Sequence, residues 1–300
     1  MEISAAIVKE LREKTGLGMM LCKAALIEAK GDMVLAIETL RKQGQATAAK
    51  RAGKAAKQGK VTIVSDPDAD ASCSILYEVN SETDFVARND DFKRFIDDLG
   101  KLLMEKKPAD ITAAKALTSP FFAGQTVDAK VLELVAKIGE KISFRRYHKE
   151  TTAGAGEKLF TYNHGEGRIG VLVKLACDNT ASVPQQAFLD LGKDLAMQVA
   201  ASNPLAIDRA TLDKNFASLI EKEKEIYLTQ AQTSGKPEKV WPKIVEGKLE
   251  KFYKESTLVM QPFIRDPDRQ VSDRIADAEK ALSGKITVVS FVRFELGAEE

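Results

Sequence analysis

The chain is poor in the residues that most often carry covalent chemistry. It holds two histidines, His148 and His164, in 300 residues. The first falls in "KISFRRYHKE", which reads as a strand, and the second in "YNHGEG", which reads as a turn. No nucleophile elbow is visible, so a Ser-His-Asp or Cys-His set finds little support. The three cysteines, Cys22, Cys73 and Cys177, are far apart and form no C-x-x-C pair. A zinc site needs more Cys or His at short spacing than this, and the thiols read as buried and reduced. No apolar run nears the ~20 residues that cross a bilayer. The first residues, "MEISAAIVKELREK", are charged from the second position, unlike a signal peptide. A dominant sign of charge is missing too: 45 Lys and Arg face 44 Asp and Glu. No global field therefore draws the protein to nucleic acid or membrane. The expectation is a soluble cytoplasmic protein without a cofactor.

What is present is ordinary globular material, 44% hydrophobic and 30% charged, with a length that suggests about two domains. Residues 1–44 read as three short helices, with Ser4 and Asp32 as caps and Gly16, Gly31 and Gly44 as stops. Residues 45–60, "QATAAKRAGKAAKQGK", hold five basic residues and no acid, and read as a solvated linker. From Val61 the period becomes that of strands, "KVTIVS" and "SCSILYEVN", parted by the turn-rich "DPDADA". A helix is expected from about Asp84 to Lys107, another at "DAKVLELVAKIGE" ended by Gly139, and a strand at "KISFRRYHKE". Residues 61–150 thus form one mixed unit. Residues 151–300 form a second, with strands "KLFTYNHG", "RIGVLVKLAC" and "KITVVSFVRFELG" and the helix "VPQQAFLDLGKDLAMQVAASNP". Two long charged helical segments at about 209–255, hinged at "SGKP", read as a helical hairpin inserted into it. The class is α+β.

Several motifs invite chemistry. "GEGRIG", Gly165 to Gly170, matches G-x-G-x-x-G, but a strand follows where a helix must open, so a hairpin turn is the better reading. "GKAAKQGK" has one residue too many for a phosphate loop and Val61 where Ser or Thr should stand. "ETDFVARNDD" offers Glu82, Asp84, Asp90 and Asp91 to a metal, though position favours Asp84 as a helix cap. The basic linker lacks interleaved aromatics and is weak evidence for RNA. Met19 and Met20 either pack in the small N-terminal core or face a partner, and both readings stand. Phe85 falls at a strand-to-helix corner, either tucked beneath it or held out. Without a convincing catalytic set, a protein that acts by binding is favoured.

"VKELREKTGLGMMLCKAAL" and "YEVNSETDFVARND" resemble the two signatures of the bacterial translation elongation factor Ts family. "VAKIGEKISFRR", "HGEGRIGVLV", "LAMQVAASNP", "SGKP", "QPFIRDP" and "FVRFELG" also match it in order, over almost the whole chain. The resemblance implies a ubiquitin-associated-like three-helix domain, then a core of two α+β subdomains with a protruding antiparallel helical hairpin. It implies a guanine nucleotide exchange factor, without covalent chemistry, that binds elongation factor Tu and releases its GDP. Carried over by position, Thr83, Asp84, Phe85 and Val86 would push near the partner's magnesium site. Met19, Met20, Ile138, Gly139 and His164 would make further contacts. No direct binding of nucleotide, nucleic acid or membrane is expected. Leu17, Leu21 and Ala24 replace the family's Ala, Asp and Lys, which predicts a more apolar N-terminal contact surface, and Ser81 replaces a common Cys. Many relatives carry a helical module beyond "FVRFELG", and its contacts are expected to be missing. The alternatives are an RNA- or ribosome-associated factor using residues 45–60, and a carboxylate metal hydrolase around Glu82–Asp91.

Overall fold

The computed structural model describes residues 3–67 and 72–299. Residues 68–71, most of the turn expected at "DPDADA", lie outside the described residues. The first helix, α1 (Ala5–Thr15), is capped by Ser4 and closed by Gly16 at φ 67°, whose N–H reaches Arg12 O at 2.7 Å. Helix α2 spans Met19–Glu28, and α3 spans Met33–Arg51 with Asp32 accepting from the amides of Val34 and Leu35. Leu11, Leu17, Cys22, Leu26 and Leu40 fill the small core among them.

Gly44 does not stop α3. The helix runs seven residues further, to Arg51. Gly44 serves contact instead: a Cβ there would stand 3.1 Å from the Ala136 methyl, so glycine lets α3 lie close against a helix of the next unit. The expected linker is accordingly helix up to Arg51 and strand from Gln58.

The first sheet has the antiparallel order β1 (Gln58–Ser65), β2 (Cys73–Ser81), β3 (Ile142–Thr151). Between β2 and β3 come α4 (Asp84–Arg88), α5 (Asp90–Lys106), α6 (Ile111–Ala116) and α7 (Val127–Ile138). The single helix expected from Asp84 to Lys107 is thus two. Asn89, at ψ 136°, breaks it, and its side chain accepts from the amides of Asp91 and Phe92 to start α5. Asn side chains compete for backbone amides in this way and favour caps over helix interiors. Tyr77, Phe92, Phe95, Leu99 and Phe144 form the core between sheet and helices.

The second sheet has the order β4 (Glu157–His164), β5 (Ile169–Cys177), β8 (Ile286–Glu295), again antiparallel. Gly165 to Arg168 turn β4 into β5, as the hairpin reading of "GEGRIG" requires. Helix α8 (Gln186–Ser202) covers the sheet, with Phe188, Leu191, Leu195 and Val199 inward. Helices α9 (Arg209–Asn215), α10 (Ala217–Gln232) and α11 (Trp241–Ser256) follow. Between residues 221 and 250 only Ala231 is buried, so α10 and α11 project as a hairpin anchored at its root by Leu212, Ile220 and Tyr253. A two-stranded ribbon, β6 (Pro262–Phe263) with β7 (Asp266–Gln270), leads into α12 (Val271–Leu282), an element the periodicity reading did not mark. Gln198 binds this return. It accepts from Ile264 N at 2.8 Å and donates to Gln261 Oε1 and Pro262 O, each at 3.2 Å.

The two sheets meet through Val61, Leu76 and Leu172, with Val292, Phe294 and Leu296 around them. Gly170 is required there, because a Cβ would stand 2.6 Å from Leu76 Cδ1. At the seam Glu78, fully buried, accepts from Arg146 Nε at 2.5 Å, Asn80 Nδ2 at 2.7 Å and Gly297 N at 2.9 Å. Arg145 donates to Ala298 O at 2.5 Å. This knot fastens the C-terminal residues to the first sheet. Among the described residues no helix is long and apolar enough to cross a membrane.

Candidate partner interface

The corner between β2 and α4 is short and held on both sides. Ser81 Oγ donates to Thr83 O at 2.8 Å, and Thr83 is extended at φ −121°, ψ 159°. Thr83 is the N-cap residue of α4, yet its hydroxyl does not cap the helix. Both its amide and its hydroxyl donate to Glu140, at 3.0 and 2.9 Å. In return Glu82 accepts from Lys141 N at 2.6 Å and from Arg51 NH1 at 3.0 Å. The Lys141 N–H, ahead of the Arg51 guanidinium, holds the Glu82 carboxyl below its ordinary range. Gly139, at φ 82°, closes α7 with its N–H on Val135 O at 2.9 Å and delivers Glu140 and Lys141 to the corner. Half-buried Ile138 packs on the core just beneath.

The four residues expected to act together at this corner therefore divide. Phe85 is 76% exposed, while Val86 is only 3% exposed and sits in the core. A five-residue helix holds one apolar side chain in and its neighbour out. Asp84 lies in the first turn, exposed, 3.4 Å from Arg88. Within the chain Thr83 is held by Glu140 and Val86 by the core, while Asp84 and Phe85 are the two exposed members of the expected contact set. The break at Asn89 also separates Asp84 from Asp91, whose carboxylate lies 2.8 Å from Lys137. Among the described residues no three His, Cys, Asp or Glu side chains converge to hold a metal ion.

A second surface lies on the N-terminal unit. Helix α2 carries apolar residues all round, a pattern that normally means burial on every side. Here Cys22, Ala25 and Leu26 face the core, while Met19, Met20, Leu21 and Ile27 face out. Met20 is 76% exposed, and Val34 and Leu35 at the start of α3 add to the same character. A set of this kind is a candidate interaction surface. Of the three family replacements, Leu21 and Ala24 are exposed, but Leu17 is buried in the small core and contributes nothing to the surface. Ile27, Val34 and Leu35 escaped the sequence reading, though their positions on one amphiphile-breaking helix pair held the signal.

His164 ends β4, exposed, with its Nδ1 3.1 Å from the Tyr162 hydroxyl and its ring stacked on that tyrosine. It belongs to the second sheet, whereas the corner belongs to the first. The basic stretch 45–60 is partly consumed by structure: Arg51 grips Glu82, and Lys57 pairs with Glu299 at 3.1 Å. A cleft of about 630 Å³ opens between α1, α3 and α7, lined by Lys14, Ile37, Arg41 and Leu132, and Phe85 takes no part in it.

Known proteins resemble the chain along nearly its whole length. A family model described as elongation factor TS matches residues 82–298, from the corner to the C-terminal knot. The chain is 44% identical over 298 residues to elongation factor Ts of Methylococcus capsulatus, covering 99% of this chain and 93% of that one. It is 41% identical over 297 residues to elongation factor Ts of Clostridium novyi, with 98% and 93% covered. With elongation factor Ts of Desulfovibrio desulfuricans it shares 39% identity over 299 residues and 99% of both chains.

Proposed function

The chain belongs to the elongation factor Ts family, and from that premise we propose that it is a guanine nucleotide exchange factor for elongation factor Tu. In this reading the three-helix unit is the ubiquitin-associated-like domain and docks through Met19, Met20, Leu21 and Ile27. Phe85 is the wedge, with Asp84 beside it. Ile138, Gly139 and His164 lie along the rest of the contact. The observation that carries the proposal is Phe85, 76% exposed on a corner fastened at both flanks. An exposed aromatic on a rigid mount gains roughly 1.5–3 kcal/mol when a partner covers it. A mobile one would first lose roughly 0.5–1.5 kcal/mol of that to ordering.

The mechanism needs no bond to be made or broken. A GTPase holds GDP through amides at a helix N-terminus and through a magnesium ion with its waters. A ring pressed between the neighbouring helices displaces those groups, and the nucleotide loses contacts that the wedge replaces. Linkage then makes the effect mutual: GDP weakens the factor by the ratio in which the factor weakens GDP. Incoming GTP completes the exchange.

The test is stopped-flow release of a fluorescent GDP from elongation factor Tu of the same organism. The native chain accelerates release, and Phe85→Ala lowers that acceleration by about thirtyfold, as loss of a hot-spot residue of about 2 kcal/mol implies. Release at the native rate with Phe85→Ala would remove the ring from the mechanism.

A further inference from the structure

We propose that Arg51 is a positioning residue for the wedge, and that α3 is a strut coupling the apolar docking face to the corner that carries Phe85. The inference rests on the exchange reading above. Helix α3 has 19 residues, a length of roughly 28 Å at 1.5 Å per residue. Its first turn presents Val34 and Leu35, exposed beside α2. Its last residue is Arg51, whose guanidinium meets both Glu82 oxygens at 3.0 Å. Glu82 is the residue next but one before Asp84, and its carboxylate also takes the Lys141 amide. The Lys141 ammonium reaches back to Ala52 O at 2.6 Å and Lys54 O at 2.9 Å, just past the end of α3.

The result is a closed ring: α3 end to Glu82, Glu82 to Lys141, Lys141 to α3 end. A second tie lies midway, where Gly44 of α3 meets Ala136 of α7, and α7 itself ends in Gly139, Glu140 and Lys141. Glu82 on one side of the corner and Lys141 on the other are thereby both tied to one helix, and that helix begins at the docking face. Ordinary anchoring of the corner is already supplied by Val86 and by the Thr83–Glu140 bonds. Arg51 adds a link between the two surfaces. Docking through α2 and α3 then fixes where the ring enters, and a site displaced by even 1 Å loses much of its rate.

The experiment measures the rate of fluorescent GDP release against factor concentration for the native chain, Arg51→Met and Arg51→Lys, with thermal unfolding of each. Arg51→Met is expected to lower the maximal rate about tenfold, the loss of one charge-assisted bond. Its half-saturating concentration stays near native, because both contact surfaces survive, and its unfolding midpoint falls by only about 2–5 °C, too little to unfold it at the assay temperature. Arg51→Lys keeps the charge and restores most of the maximal rate. A maximal rate for Arg51→Met within about twofold of native, or one that Arg51→Lys fails to restore, overturns the proposal. A native chain that does not accelerate release at all would overturn the exchange reading, and the strut with it.

Discussion

Phe85 and Val86 are adjacent, both apolar, and opposite in fate. Phe85→Ala leaves the core intact, so its unfolding free energy stays within about 0.5 kcal/mol of native while exchange falls. Val86→Ala does the reverse: it opens a space in the first core and costs about 1–2 kcal/mol, with little direct loss of contact surface. Urea unfolding of the two variants beside their GDP-release rates checks this crossed pattern, and equal destabilisation by both would contradict the geometry. The sequence told which residues form the corner, because the change from strand to helical spacing is visible at Ser81–Asp84. It did not tell which of Phe85 and Val86 points outward. That depends on Glu140 and Lys141, which lie more than fifty positions away and hold Thr83 and Glu82.

Among the elements, glycine shows how far local signals reach. Gly16 and Gly139 end helices as their positions suggest, in the left-handed conformation. Gly44 looks the same in sequence, yet it lies inside α3 because another helix needs the space. Gly192 is a sharper case, in the middle of α8. Alanine is the better helix former by about 1 kcal/mol, but a Cβ here would stand 2.3 Å from the Phe160 ring. Gly192→Ala is therefore expected to destabilise by about 1–3 kcal/mol, the usual consequence of overpacking. A lower urea midpoint at unchanged slope is the check, and a raised midpoint would show that propensity outweighs the clash. Helix α12 was missed for a related reason. The ribbon before it, β6 and β7, is too short to carry a period of its own, and ribbon and helix owe their placement to Gln198 and Asp194 of α8, through Ile264 N and through Arg265 and Arg274.

For the whole molecule the decisive feature is that the halves share a seam. Glu78 has no exposed surface and is met by Arg145, Arg146, Asn80 and Gly297. Glu78→Gln removes the carboxylate that pairs with both arginines, and is expected to cost about 3–5 kcal/mol, measurable by urea unfolding. A loss under about 1 kcal/mol would mean the arginines find solvent instead. The second sheet carries a consequence of a different kind. Its middle strand, β5, ends at Cys177, whereas its partner β8 begins only at Ile286. The first sheet is complete by Thr151. On the ribosome, at about 5–20 residues per second, roughly 100 residues separate the two strands and β5 waits some 5–20 s for its neighbour. One half of the nascent chain is thus finished while the other still offers an open, apolar edge. The hazard this molecule faces in synthesis is one of timing, and protease digestion of chains stalled before Ile286 would display it as cleavage confined to the second half.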